Sequence, residues 1–494
     1  MNRIMQLVCI LLMTTTVSVC AQVGDYKNSF ENLPFKMDEF QTPTIPDLVV
    51  NLPQFGAVGN GQTLCSDAFR KAFEYLEAKG GGHLVVPAGV WLTGPIDLKS
   101  NTDLHLEKGA IVLFSPDENL YPLINTYYEG LESRRCHSPI YGLNLTNVSI
   151  TGEGVIDGSG QAWRPLKREK LTDRQWKEFT SNPDGVFKRD NLWYPSKGYL
   201  KADSLFSSKM SADTRTEKDM LSIKRFLRPV MVSLVGCKNV LLQGVIFQNS
   251  PAWNIHPLMC ENIIIDRVLA RNPSYAQNGD ALDLESCKNA LIVRSVFDAG
   301  DDGICIKSGK DADGRKRGKP CENVIVDGCT VFSGHGGFVV GSEMSGGVKN
   351  IMVKNCQFLG TDVGLRFKSR RGRGGVVENI FIKDISMTDI QADAIIFNLY
   401  YGGQSVIEML DSGKKVNNVK PMPVDETTPQ FRNIHIENVT CQNAGRAMFF
   451  NGLPEMPIEN IDLKNIMITA KQDADFFNCK NISKKNVTII VKNE

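Results

Sequence analysis

The chain has 494 residues, of which 42% are hydrophobic, and its 56 Lys and Arg against 55 Asp and Glu give a formal net charge of +1. This length exceeds what one compact core usually serves, so we expect either several domains or one elongated repeat architecture. A net charge this close to zero excludes bulk electrostatic attraction to nucleic acid or to membranes, and we predict neither as a partner.

The N-terminus has the pattern of a secretory leader. Arg3 precedes an apolar run over residues 4–19, and small side chains before Gln22 predict a signal peptide over residues 1–21. Lipid attachment at Cys20 is the alternative, which is disfavoured because Val19 is a poor residue before a lipidated cysteine. No later stretch approaches the roughly 18 apolar residues that span a bilayer, so we expect an exported protein, periplasmic or extracellular.

One segment behind an N-terminal extension over residues 22–47 has helical periodicity. Residues 66–76 place apolar side chains at helical intervals, and the glycines at 80–82 end the pattern. We predict an amphipathic helix that caps the open end of the repeats that follow it.

A short phrase recurs through most of the remaining chain, in which asparagine follows a polar residue and precedes an aliphatic one. The series comprises Asn147, Asn239, Asn262, Asn289, Asn323, Asn350, Asn379, Asn433, Asn460 and Asn481. From 239 to 350 the intervals are 23, 27, 34 and 27 residues, which is typical of a solenoid. The short, β-branched segments after the asparagines indicate strands whose stacking buries one continuous core. We therefore predict an all-β fold over residues 48–494, a single-stranded right-handed parallel β-helix with an asparagine ladder at one turn.

Two segments interrupt the repeat. Residues 159–226 are charged and lack the phrase, which predicts an inserted functional loop or subdomain. The loop over residues 309–319 carries five cations against two aspartates. Both are placed to close one end of a cleft.

The cysteines do not indicate a disulfide framework. Thirteen cysteines, less Cys9 and Cys20 in the leader, leave eleven, an odd number that excludes complete internal pairing. Their spacing fits no metal site and most lie in apolar runs, so we predict buried free thiols and no metal or cofactor.

Three aspartates and a histidine are spaced for convergence on one face. Asp280 and Asp301 are 21 residues apart, and Asp301 and His335 are 34 apart, each about one coil plus a loop. Clustered carboxyls raise one another's pKa, which suits the acid and base of glycoside hydrolysis. Turn formation alone is the alternative for Asp301 and Asp302, which lie between glycines. Strand alternation with Ile304 would bury Asp302, so both aspartates reach the cleft only from a turn before the strand.

Further polar residues follow at matching intervals. Arg366 is 31 residues beyond His335, and Lys368 shares its side of the strand. Cations there suit an anionic sugar carboxylate. A solvated loop is the preferred interpretation of Arg370, Arg371 and Arg373. The other candidate substrate-binding residues are Asn278, Lys307 and Tyr401. Trp253, His256 and Tyr401 are subsite candidates, for each of which core packing or coil stacking is at least as favoured an interpretation.

These motifs resemble glycoside hydrolase family 28, the polygalacturonases. The family's four motifs correspond in order to Asn278-Gly279-Asp280, Gly300-Asp301-Asp302, Gly334-His335-Gly336 with Gly341-Ser342, and Arg366-Phe367-Lys368. The resemblance begins at Phe55-Gly56-Ala57-Val58 and covers most of the mature chain. Gly279 in place of threonine and Phe367 in place of an aliphatic residue are departures, and the first puts in doubt how Asp280 is held.

The resemblance implies roles for these residues. Asp301 would be the general acid, supported by His335, while Asp280 and Asp302 would hold and deprotonate the water. Arg366 and Lys368 would bind galacturonate. The implied mechanism is inverting, with carboxyl groups about 6.5 to 9.5 Å apart.

The resemblance also implies the substrate, a pectic polysaccharide or oligogalacturonide. Similarity of the loop over residues 308–314 to exo-acting members favours release of single galacturonate from non-reducing ends. Separately, we expect a monomer. The alternatives are an endo-polygalacturonase, a rhamnogalacturonan-directed galacturonidase, a pectate lyase and a non-catalytic carbohydrate-binding β-helix.

Overall fold

The computed structural model describes residues 26–207, 216–402 and 420–492. The predicted signal peptide and Cys20 lie outside the described residues. Within them, no helix combines the length and the apolar character needed to cross a bilayer.

The predicted right-handed parallel β-helix is confirmed, and its strands form three faces. The first face contains Val49–Asn51, Gly82–Val86, Thr102–Leu106, Thr146–Gly152, Lys238–Gln243, Glu261–Asp266, Lys288–Val293 and Cys321–Asp327. The second contains Gly89–Thr93, Ala110–Phe114, Val155–Asp157, Ile246–Gln248, Leu269–Arg271, Val296–Ala299 and Thr330–Ser333. The third contains Ile96–Asp97, Ile140–Leu143, Val232–Val235, Ile255–Leu258, Leu282–Glu285, Asp302–Lys307, Gly336–Gly341 and Leu365–Lys368. Neighbouring strands within each face are parallel.

Later strands bend continuously from face to face. They are Val348–Leu359, Val376–Asn398, Gln430–Asn451, Ile458–Phe477 and Cys479–Val491. Their inward side chains extend the core formed by the earlier coils. On the first face, aligned fully buried positions of successive coils are Val240, Ile263, Ala290, Val324, Ile351 and Ile380. This stacking supplies the apolar burial that no single coil achieves alone.

The asparagines form the predicted ladder. The Asn262 side-chain amide donates to Asn239 Oδ1 at 3.0 Å, and Asn289 donates to Asn262 at 3.2 Å. The backbone φ of Asn289 is +57°, a left-handed conformation that asparagine tolerates better than most residues. Each asparagine thus turns the chain and joins two coils.

We expect Asn289→Ala to lower the free energy of unfolding by about 2 kcal/mol, because it strains the turn and leaves ladder groups unpaired. Urea denaturation measures this difference. Asn289→Gly is the control, since glycine relieves the backbone strain but not the broken ladder, and it should be intermediate. Equal stability of all three proteins would contradict a structural role for the ladder.

The predicted capping helix extends over Ser66–Ala78. Phe69, Phe73 and Leu76 are buried in the main core, where they cover the end of the first coils. The helix therefore shields apolar strands that would otherwise face solvent.

The N-terminal strap, residues 26–47, lies outside the coils of the first face. Tyr26 and Phe40 pack on outward side chains such as Leu241 and Ile264. The Ser29 hydroxyl donates to Asp327 at 3.1 Å, and Lys354 donates to the Ser29 carbonyl at 3.3 Å. The strap contains one short helix, Lys27–Phe30.

Residues outside the coils form small additional units. The predicted insertion contains helices Asp173–Phe179, Gly198–Ser207 and Glu217–Leu221, and a sheet of Leu166–Lys167, Val186–Arg189 and Leu192–Tyr194. Leu123–Tyr128 and Leu131–Cys136 form an antiparallel hairpin, and Asp311–Arg317 forms a helix in the cationic loop. The short 3-10 turns are Leu52–Phe55, Glu118–Leu120, Gly160–Ala162 and Arg168–Lys170.

The cysteines are buried free thiols, as expected, except that Cys479 is only partly buried. Among the described residues none forms a disulfide.

Candidate active site

The third face carries the site, because its strands present alternate side chains outward at one edge of successive coils. Asp280 precedes Leu282–Glu285, His335 precedes Gly336–Gly341, and Arg366 and Lys368 lie within Leu365–Lys368. The register aligns Asp302 with Gly336, and Val339 with Arg366. Residues far apart in sequence therefore occupy neighbouring rungs.

Gly303 explains how Asp302 reaches the cleft. A Cβ on Gly303 would lie 2.4 Å from Val331 Cγ1, so this position faces the core. Ile304 also faces the core. Gly303 and Ile304 are thus two successive inward positions, which interrupt the usual alternation of the strand. Asp302 therefore points outward although it is the first residue of the strand Asp302–Lys307. The expectation that both aspartates must precede the strand was wrong for this reason.

Asp301 and His335 form a pair at the mouth of the site. His335 Nδ1 lies 3.0 Å from Asp301 Oδ1, and Lys170 Nζ lies 3.2 Å from His335 Nε2. Burial alone would raise the pKa of Asp301, but His335, Lys368 and Lys170 lower it below its usual range. Asp301 is thus a carboxylate in the free protein.

Asp302 is held by the predicted substrate-binding cations. Lys368 Nζ donates to Asp302 Oδ2 at 2.6 Å, and Arg366 Nη1 lies 3.5 Å from Oδ1. Arg366 and Lys368 also lie 5.7 and 5.2 Å from the centre of the Tyr401 ring. Burial opposes the charge on Lys368, but Asp302 raises the pKa of this lysine above its usual value. The cations therefore remain charged beside the cleft.

Lys307 is shared by three acids in a buried cluster. Its Nζ lies 3.1 Å from Glu343, 3.4 Å from Asp283 and 3.9 Å from Asp280. Burial and the neighbouring Asp283 and Asp301 raise the pKa of Asp280 well above its usual range. Burial likewise raises the pKa of Asp283 to about 8, against the effect of Lys307. The sequence predicted that clustering raises the pKa of at least one aspartate. The pKa is raised for Asp280 and Asp283, whereas it is lowered for Asp301, the general acid that the resemblance implied.

Glu343 behaves in the opposite way. Burial would raise its pKa, but Lys307, Arg373 and Lys368 lower it to about 2. It is therefore the ionised counterion of the buried lysine.

Many of these groups line an open pocket of about 360 Å³, whereas His335 and Arg366 contact Asp301 and Asp302 without lining it. Its lining residues are Glu129, Trp253, Asn278, Asp280, Asp301, Asp302, Lys307, Lys310, Ser342, Glu343, Lys368, Arg370, Arg373, Tyr401 and Gly402. One oxygen from each of Asp280, Asp301 and Asp302 lies within 4.8 Å of the others. This is closer than the separation of about 6.5 to 9.5 Å that the family resemblance implied.

The remaining predicted residues divide between pocket and core. Asn278 lines the pocket, and its side chain accepts a hydrogen bond from Arg228 at 2.9 Å. Trp253 lines it too, with Lys307 4.5 Å from its ring centre. His256 is fully buried and bonded to Glu285 at 2.9 Å, so for this residue the core alternative holds.

The solvated-loop interpretation of the three arginines after Lys368 was wrong in part. Arg373 is buried, and its guanidinium donates hydrogen bonds to the Ser342 carbonyl at 3.0 Å and to Asp311 at 2.6 Å. Arg370 lines the pocket, whereas Arg371 pairs with Glu455 outside it.

Two peripheral elements border the pocket. At the hairpin tip, the Gly130 carbonyl accepts a hydrogen bond from the Lys310 backbone at 3.1 Å. Glu129 Oε2 lies 3.9 Å from Lys310 Nζ. The insertion lies near the site as well, because its Lys170 contacts His335. The hairpin and the cationic loop therefore meet in one wall.

Sequence reasoning missed Asp283, Glu343 and Lys170. Asp283 and Glu285 alternate as charged residues within an apolar strand, which was a readable signal for a buried charged site. Glu343 directly follows the Gly341-Ser342 motif. Nothing local indicated Lys170, since it lies outside the repeat.

Comparison with known proteins identifies the family of this chain. The model of the family described as "Glycosyl hydrolases family 28" matches residues 222–489. A hyperthermoactive exopolygalacturonase from Thermotoga maritima has a similar crystal structure, with 35% identity and a TM-score of 0.75 over 91% of this chain and 93% of that one.

Two similar sequences are an exo-poly-alpha-D-galacturonosidase of Dickeya chrysanthemi and a probable polygalacturonase of Vitis vinifera. The first is 30% identical over 73% of this chain and 58% of its own length. The second is 28% identical over 85% of this chain and 74% of its own length. The chain therefore belongs to glycosyl hydrolases family 28 and is a glycoside hydrolase.

Proposed function

We propose that this enzyme hydrolyses α-1,4-galacturonosyl linkages of pectin and releases single galacturonate residues from non-reducing ends. The observation that carries the proposal is the set of three carboxyl groups that line one pocket together with Lys368, while Arg366 lies 3.5 Å from Asp302. Both cations are charged and suited to a sugar carboxylate. The names of the Thermotoga and Dickeya relatives support the exo mode.

In this mechanism Asp301 protonates the leaving oxygen. It is ionised in the free protein, because cations surround it. A bound galacturonate carboxylate would offset the charge of Lys368 and raise the pKa of Asp301, which favours the protonated acid only when the anionic substrate is present. His335 orients this acid through its Nδ1 contact.

In this mechanism Asp302 and Asp280 bind and activate the attacking water. Asp302 accepts a hydrogen bond from Lys368, which suits a carboxylate that removes a proton. Asp280 Oδ1 is buried without a hydrogen-bond partner among the described residues, so it is an atom that a bound water would satisfy. Attack from this side inverts the anomeric carbon.

The wall where the hairpin meets the cationic loop supports exo action. The contact between Gly130 and Lys310 lies beside the pocket, and Glu129 and Lys310 both line it. A wall at this position leaves room for a chain end rather than for a chain that passes through.

Digestion of polygalacturonate should give monomeric galacturonate from the earliest times, without intermediate oligomers, as measured by anion-exchange chromatography. An early ladder of oligomers would indicate endo action instead.

Proton NMR of the fresh product should show the β anomer, because inversion of an α linkage yields it. Initial release of the α anomer would instead indicate retention of the anomeric configuration. Retention is the main alternative, because the carboxyl groups are closely spaced.

The same digestion separates the other activities. Ultraviolet-absorbing unsaturated products would indicate a lyase, and cleavage confined to branched pectin would indicate a rhamnogalacturonan-directed galacturonidase. Binding without hydrolysis would indicate a carbohydrate-binding role. We further propose that the enzyme is exported and acts as a monomer.

A further inference from the structure

We propose that Lys170, contributed by the insertion, is a positioning residue that holds His335 as a neutral imidazole with its proton on Nδ1, directed at Asp301. The inference deepens the proposed function and rests on it for its kinetic test. Its spectroscopic test is independent of activity.

The contacts of the imidazole determine its tautomer. Lys170 Nζ lies 3.2 Å from His335 Nε2, and an ammonium group can only donate. Nε2 must therefore accept, so the single ring proton is on Nδ1, 3.0 Å from Asp301 Oδ1. Asp362 Oδ2 lies 3.9 Å from Nε2, too far to take a hydrogen bond from it.

The charged groups around the ring leave Lys170 as the group that sets this state. Asp301 faces Nδ1, Asp362 and Lys170 face Nε2, and Arg366 Nη1 donates to the His335 carbonyl at 3.1 Å. Within the part of the chain that the structure describes, Lys170 pairs with no carboxylate, and its second partner is the Gly300 carbonyl at 3.4 Å. An ammonium without an acidic partner, placed against a ring nitrogen, is suited to the role we assign to it.

The insertion is built to fix this lysine. Arg168 donates to the Leu171 carbonyl at 2.8 Å, which tightens the turn that carries Lys170. Leu171 belongs to a small apolar cluster with Trp193. The ring of Phe179 lies 5.5 Å from that of Tyr275, which precedes the Asn278 motif on the β-helix.

The consequence concerns the acid. With Lys170 in place, a second proton on Nε2 is opposed by the adjacent ammonium. Without it, His335 can become imidazolium between Asp301 and Asp362. An imidazolium in direct contact with Asp301 stabilises its ionised form more strongly than Lys170 does, and the ionised form is the wrong one for a general acid.

Kinetics test the role. Lys170→Met should lower kcat on trigalacturonate by about tenfold or more at about pH 5, with KM changed by less than about threefold and a smaller loss at about pH 7. Lys170→Arg should recover part of kcat, because a guanidinium also donates. Lys177→Met removes the same charge from an exposed position of the insertion and should match the wild type. A rise in KM with unchanged kcat, or a loss independent of pH, would overturn the proposal.

Spectroscopy tests the tautomer directly. In long-range ¹H–¹⁵N spectra of histidine-labelled protein, the His335 signals are identified by their absence in His335→Gln. The wild type should show the Nδ1-protonated neutral ring at about pH 6, and Lys170→Met should show protonation at Nε2. Identical His335 spectra for the two proteins would overturn the inference, whichever substrate the enzyme cleaves.

Discussion

Replacing Asp301 with Asn is expected to lower kcat on polygalacturonate by about 1,000-fold, because the amide cannot protonate the leaving oxygen. The substitution preserves size, and the asparagine oxygen can still accept from His335 Nδ1, 3.0 Å away in the wild type. Initial rates of reducing-end release measure the effect. Asp298→Asn is the matched control, since this half-buried carboxyl three residues upstream does not line the pocket, and it should retain wild-type activity.

An activated substrate distinguishes the acid from its neighbour. A nitrophenyl galacturonide needs no protonation of its leaving group, so Asp301→Asn should regain most activity on it, whereas Asp280→Asn should not. The reverse pattern would assign the acid to Asp280, whose pKa is raised by burial and by its acidic neighbours. Recovery by neither variant would contradict the assignment of a general acid to this pair.

Replacing Lys307 with Met is expected to lower the free energy of unfolding by about 3 to 5 kcal/mol, because it leaves several buried acids without their shared cation. Lys307 Nζ lies within 4.0 Å of Asp280, Asp283 and Glu343, all largely buried. Urea denaturation followed by fluorescence measures the loss. Lys316→Met, an exposed position of the cationic loop, should have no effect.

The loss should grow as the pH rises from about 5 to about 8. A buried acid whose folded pKa is raised destabilises the fold increasingly above its unfolded pKa. Lys307 helps to hold the pKa of Glu343 at about 2, so this pKa rises when the lysine is lost, and ionised Glu343 then destabilises the fold. Asp280 and Asp283 add little in this range, because their pKa is already raised with the lysine present, that of Asp283 to about 8. At the lower pH Glu343 takes up a proton more readily in the variant, which reduces the loss. A double variant with Glu343→Gln should recover part of the stability, and equal losses at both pH values would contradict the charge cluster.

The fold was predictable because a β-helix repeats one local solution. The phrase around Asn239 and its later copies records a left-handed turn, a ladder amide and an inward aliphatic residue in every coil. Helical spacing likewise sufficed for the cap at Ser66–Ala78. The repeat does not predict the structure of the insertion, because its small sheet and helices pack on their own apolar clusters.

The site was predictable where chemistry follows the coil period, as for Asp280, Asp301, His335 and Lys368. Strict alternation failed at Asp302, because a glycine without a side chain can occupy an inward position and reset the pattern. Lys170 depends on how a non-repeating segment docks on the β-helix, which no spacing rule describes. The distribution of protons among the acids depends on burial and on Lys307 together, which the spacing of residues in the sequence does not describe.

The N-terminal strap has a consequence for the order of folding. The Tyr26 hydroxyl donates a hydrogen bond to Asp266, 240 residues later, and the Ser29 carbonyl accepts one from Lys354, 325 residues later. Such distant partners close large loops, whose entropy delays contact formation until the intervening coils have stacked. The strap is synthesised before the coils, yet we expect it to dock after them. Protease resistance near Tyr26 should therefore be acquired later than that of the coils, and it would report completed folding.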